Sequence, residues 1–395
     1  MVEKGKSPFY PGQPVPLELF TGRKEQINRI ERAIKQVSLG KPQSIFLTGE
    51  YGIGKSSLAG FMRYYAEKAY GLFGIHVLLG GANSVNDVSE RTIRTVLETE
   101  AYEPSTTDKV RNFLSKYIGK QQIFGVTVNL ESLKADAPSI SKGFLPFLRE
   151  VLNNLKDDNI KGIFLILDEL NGIVKNPDFA YFIKNLVDEN ALSRNPLPLM
   201  LMLCGVDDRR KEMIEQHQPV DRIFELIKID PLAQSEMEDF FKKSFESVGC
   251  KVTDEALNSL CHYSEGYPKA MHIIGNNVFW TDKDNIIDED DSVDGILESA
   301  TQIGQQFIDA QVYKAIRSED YKNILSKLTA NDFSESFNKS DFEKNLSGPE
   351  KKKFDNFLQK MKNLNVIRSG EARGEYIFTS RLSKVYMRMY SIKKA

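Results

Sequence analysis

Eight consecutive residues, Gly49-Glu50-Tyr51-Gly52-Ile53-Gly54-Lys55-Ser56, have the spacing GxxxxGK[ST]. Glycines at these positions let the backbone curl so that successive N–H groups point inward, a cradle suited to phosphate oxygens. A helix opening at Lys55 adds the positive end of its dipole. Lys55 then reaches the β- and γ-phosphates of a nucleotide, the Ser56 hydroxyl suits Mg²⁺, and Ser57 completes the binding segment. A second group follows the apolar run Gly162-Ile163-Phe164-Leu165-Ile166-Leu167, which ends in Asp168-Glu169. A buried strand would deliver Asp168 to the edge where the phosphates sit. There Asp168 can hold Mg²⁺ through water and Glu169 can polarise an attacking water. ATP and Mg²⁺ are the cofactors these residues imply.

Both groups need a parallel sheet to place them. Short apolar strands are expected at Ser44–Thr48, Ile75–Leu79, Ile163–Leu167, Leu199–Leu203 and Leu226–Ile229, alternating with helices. That alternation argues for an α/β sheet covered on both faces. Helices are expected over Lys24–Leu39, from Leu58 onward, over Arg91–Tyr117 with a break near Pro104, and over Phe144–Leu155. Ile123–Leu130 alternates and reads as a strand or part of a hairpin. The length between the two motifs leaves room for one further strand between the motif strands, as in ATPases that place an acid–acid pair for hydrolysis. After Pro231 the pattern turns helical, with Ser235 and Glu238 spaced as a capping box and Gly249 as a stop. The acidic run Asp282–Asp294 lacks the glycine and terminal glutamate of a calcium loop and reads as a solvated loop entering a helix.

Composition narrows the alternatives. The 395 residues carry 41% apolar and 27% charged side chains, enough to bury sizeable cores without disulfides. Cys204, Cys250 and Cys261 are scattered, which fits a reducing compartment, and a cytoplasmic location is expected. The four histidines lack the close pairing of a zinc site. The start is not a signal peptide, the longest apolar runs fall far short of a membrane span, and no membrane partner is expected. The net charge of −2 hides an asymmetry: residues 311–395 carry 18 Lys+Arg against 10 Asp+Glu, a net of +8 against −10 for the remainder. An anionic partner for that end is the first candidate.

The motifs together resemble the AAA+ and STAND branch of P-loop ATPases, including archaeal replication initiators of the origin-recognition type. Phe20-Thr21-Gly22-Arg23 is similar to the entry box that packs near the adenine, and Gly266-Tyr267-Pro268 to the GxP motif of a lid domain. The resemblance implies a P-loop NTPase sheet followed by a helical lid and a C-terminal winged helix. The corresponding boundaries are an extended arm over 1–20, an ATPase core over 21–231, a lid over 232–310 and a winged helix over 311–395. It implies nucleotide contacts from Arg23, Pro268 and Lys269, the last as a second-sensor cation or a solvated helix-start lysine. Arg222 stands where an arginine finger would reach a neighbouring subunit's γ-phosphate; the alternative is a surface arginine paired with Asp221 or Glu225. Cys204 replaces the usual polar sensor, which suggests slow hydrolysis; alternatively it is a core residue.

In the C-terminal stretch a short helix from Ser340, a longer one from Pro349 to Leu364 and two strands around Ser369–Gly374 give the winged-helix order. Lys351, Lys352 and Lys353 lie on the longer helix and Arg368 and Arg373 on or near the wing, an arrangement that could meet phosphates of duplex DNA. Two functions follow: an ATP-driven, self-associating or partner-dependent switch that associates with DNA, or a STAND-type signalling or defence ATPase whose winged helix contacts protein. A metabolic kinase is disfavoured, because no substrate motif accompanies the ATPase core.

Overall fold

A computed structural model describes residues 4–12, 20–98, 137–155, 159–330 and 336–394. The expectations for the helix beyond Glu98, the break near Pro104 and the alternating segment Ile123–Leu130 lie outside the described residues. The chain forms two compact units, Pro14–Asp230 and Pro231–Ala395 together with Met1–Gln13.

Among the described residues, the first unit is a five-stranded parallel sheet with helices on both faces. Its elements are α1 (Lys24–Ser38), β1 (Gln43–Thr48), α2 (Lys55–Tyr70), β2 (Leu72–Leu78), α3 (Val85–Glu98), α4 (Ala137–Asn154), β3 (Gly162–Asp168), α5 (Pro177–Leu192), β4 (Leu199–Gly205), α6 (Asp207–Gln216) and β5 (Glu225–Lys228). The sheet order is β2-β3-β4-β1-β5. Every residue of β3 and β4 is buried, which explains why both read as unbroken apolar runs rather than as alternation. A strand does separate the two motif strands in space, and it is β4. Among the described residues, the strand that lies between the motifs in sequence, β2, pairs with β3 on the side away from β4. Helix α3 begins at Val85, ahead of the expected Arg91, because the Asp87 carboxylate accepts from the amides of Asn83 (2.8 Å) and Ser84 (3.0 Å) and closes the turn there.

The second unit contains α7 (Gln234–Glu246), β6 (Lys251–Val252), α8 (Asp254–Ser264), α9 (Pro268–Thr281), β7 (Ile286–Ile287) and α10 (Glu289–Ile303), which runs into a π-helical stretch, Gly304–Tyr313. Then come α11 (Glu319–Ala330), β8 (Ser336–Asn338), α12 (Lys339–Glu343), α13 (Gly348–Asn363), β9 (Ile367–Ser369), β10 (Glu375–Phe378) and α14 (Arg381–Lys394). Strands β8, β10 and β9 form an antiparallel sheet in that order. The expected Ser235–Glu238 capping box does not form. The helix starts two residues earlier, at an Ala233 cap whose amide donates to Glu236 (3.0 Å), and Glu238 instead accepts from Gln234. Gly249 does stop this region, with φ of 76°.

The acidic run is only partly solvated. The Asp282 side chain is fully buried in an ion pair with Lys4, and Asp288 and Asp291 exchange hydrogen bonds as the cap of α10. The arm around Phe9 is likewise no free extension. Phe9 is 4% exposed, its ring 5.0 Å from that of Phe245 and 5.9 Å from that of Phe240. It lies over Gly275, where a methyl group would come within 2.3 Å of the ring. The Tyr10 amide donates to Nδ1 of buried His272 (3.2 Å).

Candidate nucleotide-binding site

The loop after β1 turns on glycine. Gly52 and Gly54 have φ of 75° and 96°, and Gly54 is the N-cap of α2, so the free amides of the first helical turn begin at Lys55. A side chain at Gly49 is excluded, since its Cβ would stand 2.8 Å from the Ile229 carbonyl. The Lys55 ammonium donates to the carbonyls of Gly49 (2.9 Å) and Glu50 (2.8 Å), and lies 5.6 Å from the centre of the Tyr51 ring. Burial lowers the Lys55 pKa, and the charge of Asp168 acts in the opposite direction without restoring it.

Register places Asp168. It is the last residue of β3, opposite Leu78 on β2. Burial opposes its charge, but hydrogen bonds from His76 and Ser56 and the amide of Glu169 more than offset that, so its carboxyl lies below the ordinary range. The Ser56 bond brings together the two residues expected to hold Mg²⁺, a hydroxyl and a carboxylate, both oxygen donors suited to that ion.

His76 was not singled out from the sequence. It pairs with Ile166, two residues before Asp168, so its ring and the carboxylate leave the same face of the sheet, with Nε2 and Oδ2 3.2 Å apart. The signal for it was one polar residue inside the apolar strand Leu72–Leu78. Arg209, on α6, was also missed. It hydrogen-bonds the Tyr51 hydroxyl and Glu212, while that hydroxyl donates to Asn171 (2.9 Å). The exposed Tyr51 of the loop is thereby tied to the segments that follow β3 and β4.

Glu169 is exposed and has a left-handed backbone, φ 61°. Its carboxylate lies over Gly80, in the loop after β2, where a methyl group would stand 2.3 Å from Oε2. Arg91 fixes that loop by donating to the carbonyls of Leu78 (2.9 Å) and Gly80 (2.7 Å). Cys204 is wholly buried near the end of β4; burial and the neighbouring Asp168 charge push its thiol well up, so it stays protonated. Arg23 is buried, donates to the carbonyls of Ile53 (3.1 Å) and Asp230, and thus joins the entry box to the loop, while Phe20 stacks on Phe61 (4.7 Å).

Arg222 is exposed on a 3₁₀ turn and has no ion pair among the described residues. The two partners expected for a surface arginine are taken: Asp221 by Arg210 (2.5 Å) and Glu225 by Arg29 (2.8 Å). Pro268 and the exposed Lys269 open α9 in the second unit. Lys351, Lys352, Lys353, Arg368 and Arg373 are exposed in that unit, and Lys353 pairs with Asp320 (2.5 Å).

The sheet, loop and acidic strand end define a P-loop NTPase fold. Residues 19–196 match the family model of the AAA ATPase domain. Among solved structures, the chain is similar to the ORC2 protein of Aeropyrum pernix in its ADPNP–ADP complexes, with a TM-score of 0.60, 12% identity, and 98% of this chain and 95% of that one covered. It is also similar to a Walker-type ATPase of Pyrococcus abyssi (TM-score 0.53, 16% identity, 93% and 96% covered) and to Cdc6p from Pyrobaculum aerophilum (TM-score 0.52, 11% identity, 98% and 97% covered). A search of curated proteins returns no match. No helix among the described residues is long and apolar enough to cross a membrane.

Proposed function

We propose that the chain is an ATP-binding, slowly hydrolysing molecular switch of the AAA+ type that associates with duplex DNA through a C-terminal winged helix. The observation that carries the nucleotide reading is the meeting of Lys55, Ser56 and Asp168, drawn from motifs far apart in sequence. Lys55 would neutralise the β- and γ-phosphates, and Ser56 and Asp168 would hold Mg²⁺, which would supply charge stabilisation for phosphoryl transfer when bound. Glu169 would act as the base for water. Its carboxylate is exposed, beside Gly80 of the loop after β2, and so is open to solvent.

Arg222, exposed and without an ion pair among the described residues, suits a finger acting on a neighbouring copy, and hydrolysis would then rise with self-association. Pro268 and Lys269 would meet the nucleotide from a lid. The DNA reading rests on the order α11, β8, α12, α13, β9, β10 and on the exposed cations of α13 and the β9–β10 turn. One observation favours the alternative, a STAND-type switch that contacts protein: Lys353 and Lys360 on α13 are engaged within the chain, which lowers the charge free for phosphates. Titration calorimetry with ATP–Mg²⁺ tests the core of the proposal. Lys55→Ala is expected to weaken or abolish binding, and unchanged affinity would remove the P-loop assignment.

A further inference from the structure

The basic end of the chain holds a cleft that the reading above does not use. It has a volume of about 640 Å³ and lies between the segment Lys314–Ser318, which links the π-helical stretch to α11, and one face of α13. Four cations line it: Lys314 and Arg317 from the linking segment, and Lys353 and Lys360 from the helix. Lys353, Asn356 and Lys360 stand at helical spacing i, i+3 and i+7, so they share a face, and the two lysines are about 10 Å apart along the axis. Tyr321 and Asn356 supply an aromatic ring and an amide to the same cleft. The Tyr321 ring is fixed edge-on against buried Phe357, 5.5 Å away.

Charge is left over here. The two carboxylates at the start of α11 are occupied, Glu319 by Lys322 (2.6 Å) and Asp320 by Lys353 (2.5 Å). Lys360 donates to the Ala315 carbonyl (2.6 Å), which holds the linking segment against α13 and shapes the wall. Lys314 and Arg317 are exposed and have no side-chain partner among the described residues. A concave site of this volume is in the range of small-ligand pockets. Of the four cations only Lys353 is paired with a carboxylate, so the remaining positive charge would raise the local potential and draw in an anion. A planar guanidinium beside ammonium groups matches the tetrahedral, multiply charged oxygens of a phosphoryl group better than a single carboxylate.

We propose that this cleft binds a phosphoryl-bearing polyanion, with Lys314 and Arg317 as its principal contacts and Lys353 and Lys360 as the opposite wall. The chemistry is shared by a free polyphosphate or nucleotide and by the backbone of a nucleic acid. The cleft shares Lys353 with the DNA reading, whereas Lys351, Lys352, Arg368 and Arg373 do not line it.

The test uses the full chain with Lys55→Ala, so that the P-loop does not compete, and compares it with the same chain carrying Lys314→Glu and Arg317→Glu. One arm titrates inorganic triphosphate by calorimetry; the other follows the anisotropy of a labelled duplex at several salt concentrations. Binding of triphosphate that falls about tenfold or more in the Glu variant identifies a small-ligand site. No triphosphate binding, but a duplex affinity that falls with Lys314→Glu/Arg317→Glu and a salt slope flatter by about 0.9 per lost contact, identifies the backbone as the occupant. The neutral pair Lys314→Gln/Arg317→Gln should give an intermediate loss, and an unchanged thermal melt shows that folding is not the cause. The proposal is overturned if neither probe depends on residues 314 and 317. Loss of duplex binding in Lys351→Glu/Lys352→Glu alone would then uphold the DNA reading without the cleft, so the two ideas fail separately.

Discussion

The nucleotide site and the basic end of the second unit are both built from charged side chains, yet the fold treats them differently. In the α/β unit each charge is positioned by backbone: Lys55 by a glycine-framed helix start, Asp168 by the last register pair of β3, His76 by its pairing on β2. These positions leave little freedom, and the pKa of Asp168 is shifted by named neighbours. On α13 the lysines fan around a helix, and they divide between solvent (Lys351, Lys352), an ion pair (Lys353), a carbonyl (Lys360) and an aromatic face (Lys362). A motif fixed by strand register can be read as chemistry. A cluster of like charges on a helix has to be partitioned before it can be read at all.

That contrast can be broken or sharpened by measurement. The largest effect is expected at Glu169. Glu169→Gln should retain ATP binding while turnover drops by about 10²–10⁴-fold, the range for loss of a general base. Phosphate release at saturating ATP is the readout, and a wild-type rate would move the base to another residue.

Acid should separate the two units. Burial depresses the pKa of His272 to about 4 from 6.5, so the folded state resists protonation that the unfolded chain accepts. Its contribution is fully present above pH ~6.5 and is lost as the pH falls toward 4, in all roughly 3 kcal/mol. Asp168, whose pKa lies below 3.8, keeps its contribution until still lower pH. Melting followed at pH 7, 5.5 and 4.5 should therefore show the helical unit softening first, with Phe replacing His272 flattening the trend. Simultaneous softening of both units would contradict it.

A smaller loss is expected on removing the ring beside Asp168, the proposed metal ligand. His76→Ala should raise the Mg²⁺ concentration needed for half-maximal turnover by about 10–100-fold, as for other groups that orient a metal ligand. His76→Gln, which can still donate to Asp168, should recover part of it. The smallest change concerns the fanned lysines. Lys351→Glu/Lys352→Glu should weaken duplex binding alike on different sequences and flatten the salt slope by about 0.9 per lost phosphate contact. Lys353→Glu should break the pair with Asp320, visible as a lower melting temperature, and should also weaken anion binding in the cleft that Lys353 lines.

Much of the first unit was legible because buried parallel strands announce themselves as apolar runs, and β1, β3 and β4 fall within a residue or two of expectation. Helices α5 and α6 were not anticipated. Residues 207–216 of α6 are almost wholly polar, with only Met213 buried, so no apolar stripe marks them. His76 and Arg209 escaped for another reason: each gains meaning only from a partner that sheet register or loop packing brings near, Asp168 and Tyr51 respectively. The capping box was misplaced by two residues because Ser235 and Glu238 have the right spacing, while the leading Pro231-Leu232-Ala233 sets the actual start one step before Gln234.

The docking of Phe9 among Phe240, Phe245 and His272 sets an order of events during synthesis. Phe9 leaves the ribosome about 230 residues ahead of the rings that enclose it, which at roughly 5–20 residues per second is on the order of 10–50 s. Throughout that interval the α/β unit can fold, while this aromatic segment stays in water and open to chaperones or to a neighbouring nascent chain. Closure of the helical unit over Phe9 is therefore a late event relative to the synthesis of Phe9 itself. A polysome crowded with waiting arms is where exchange of that segment between copies would begin.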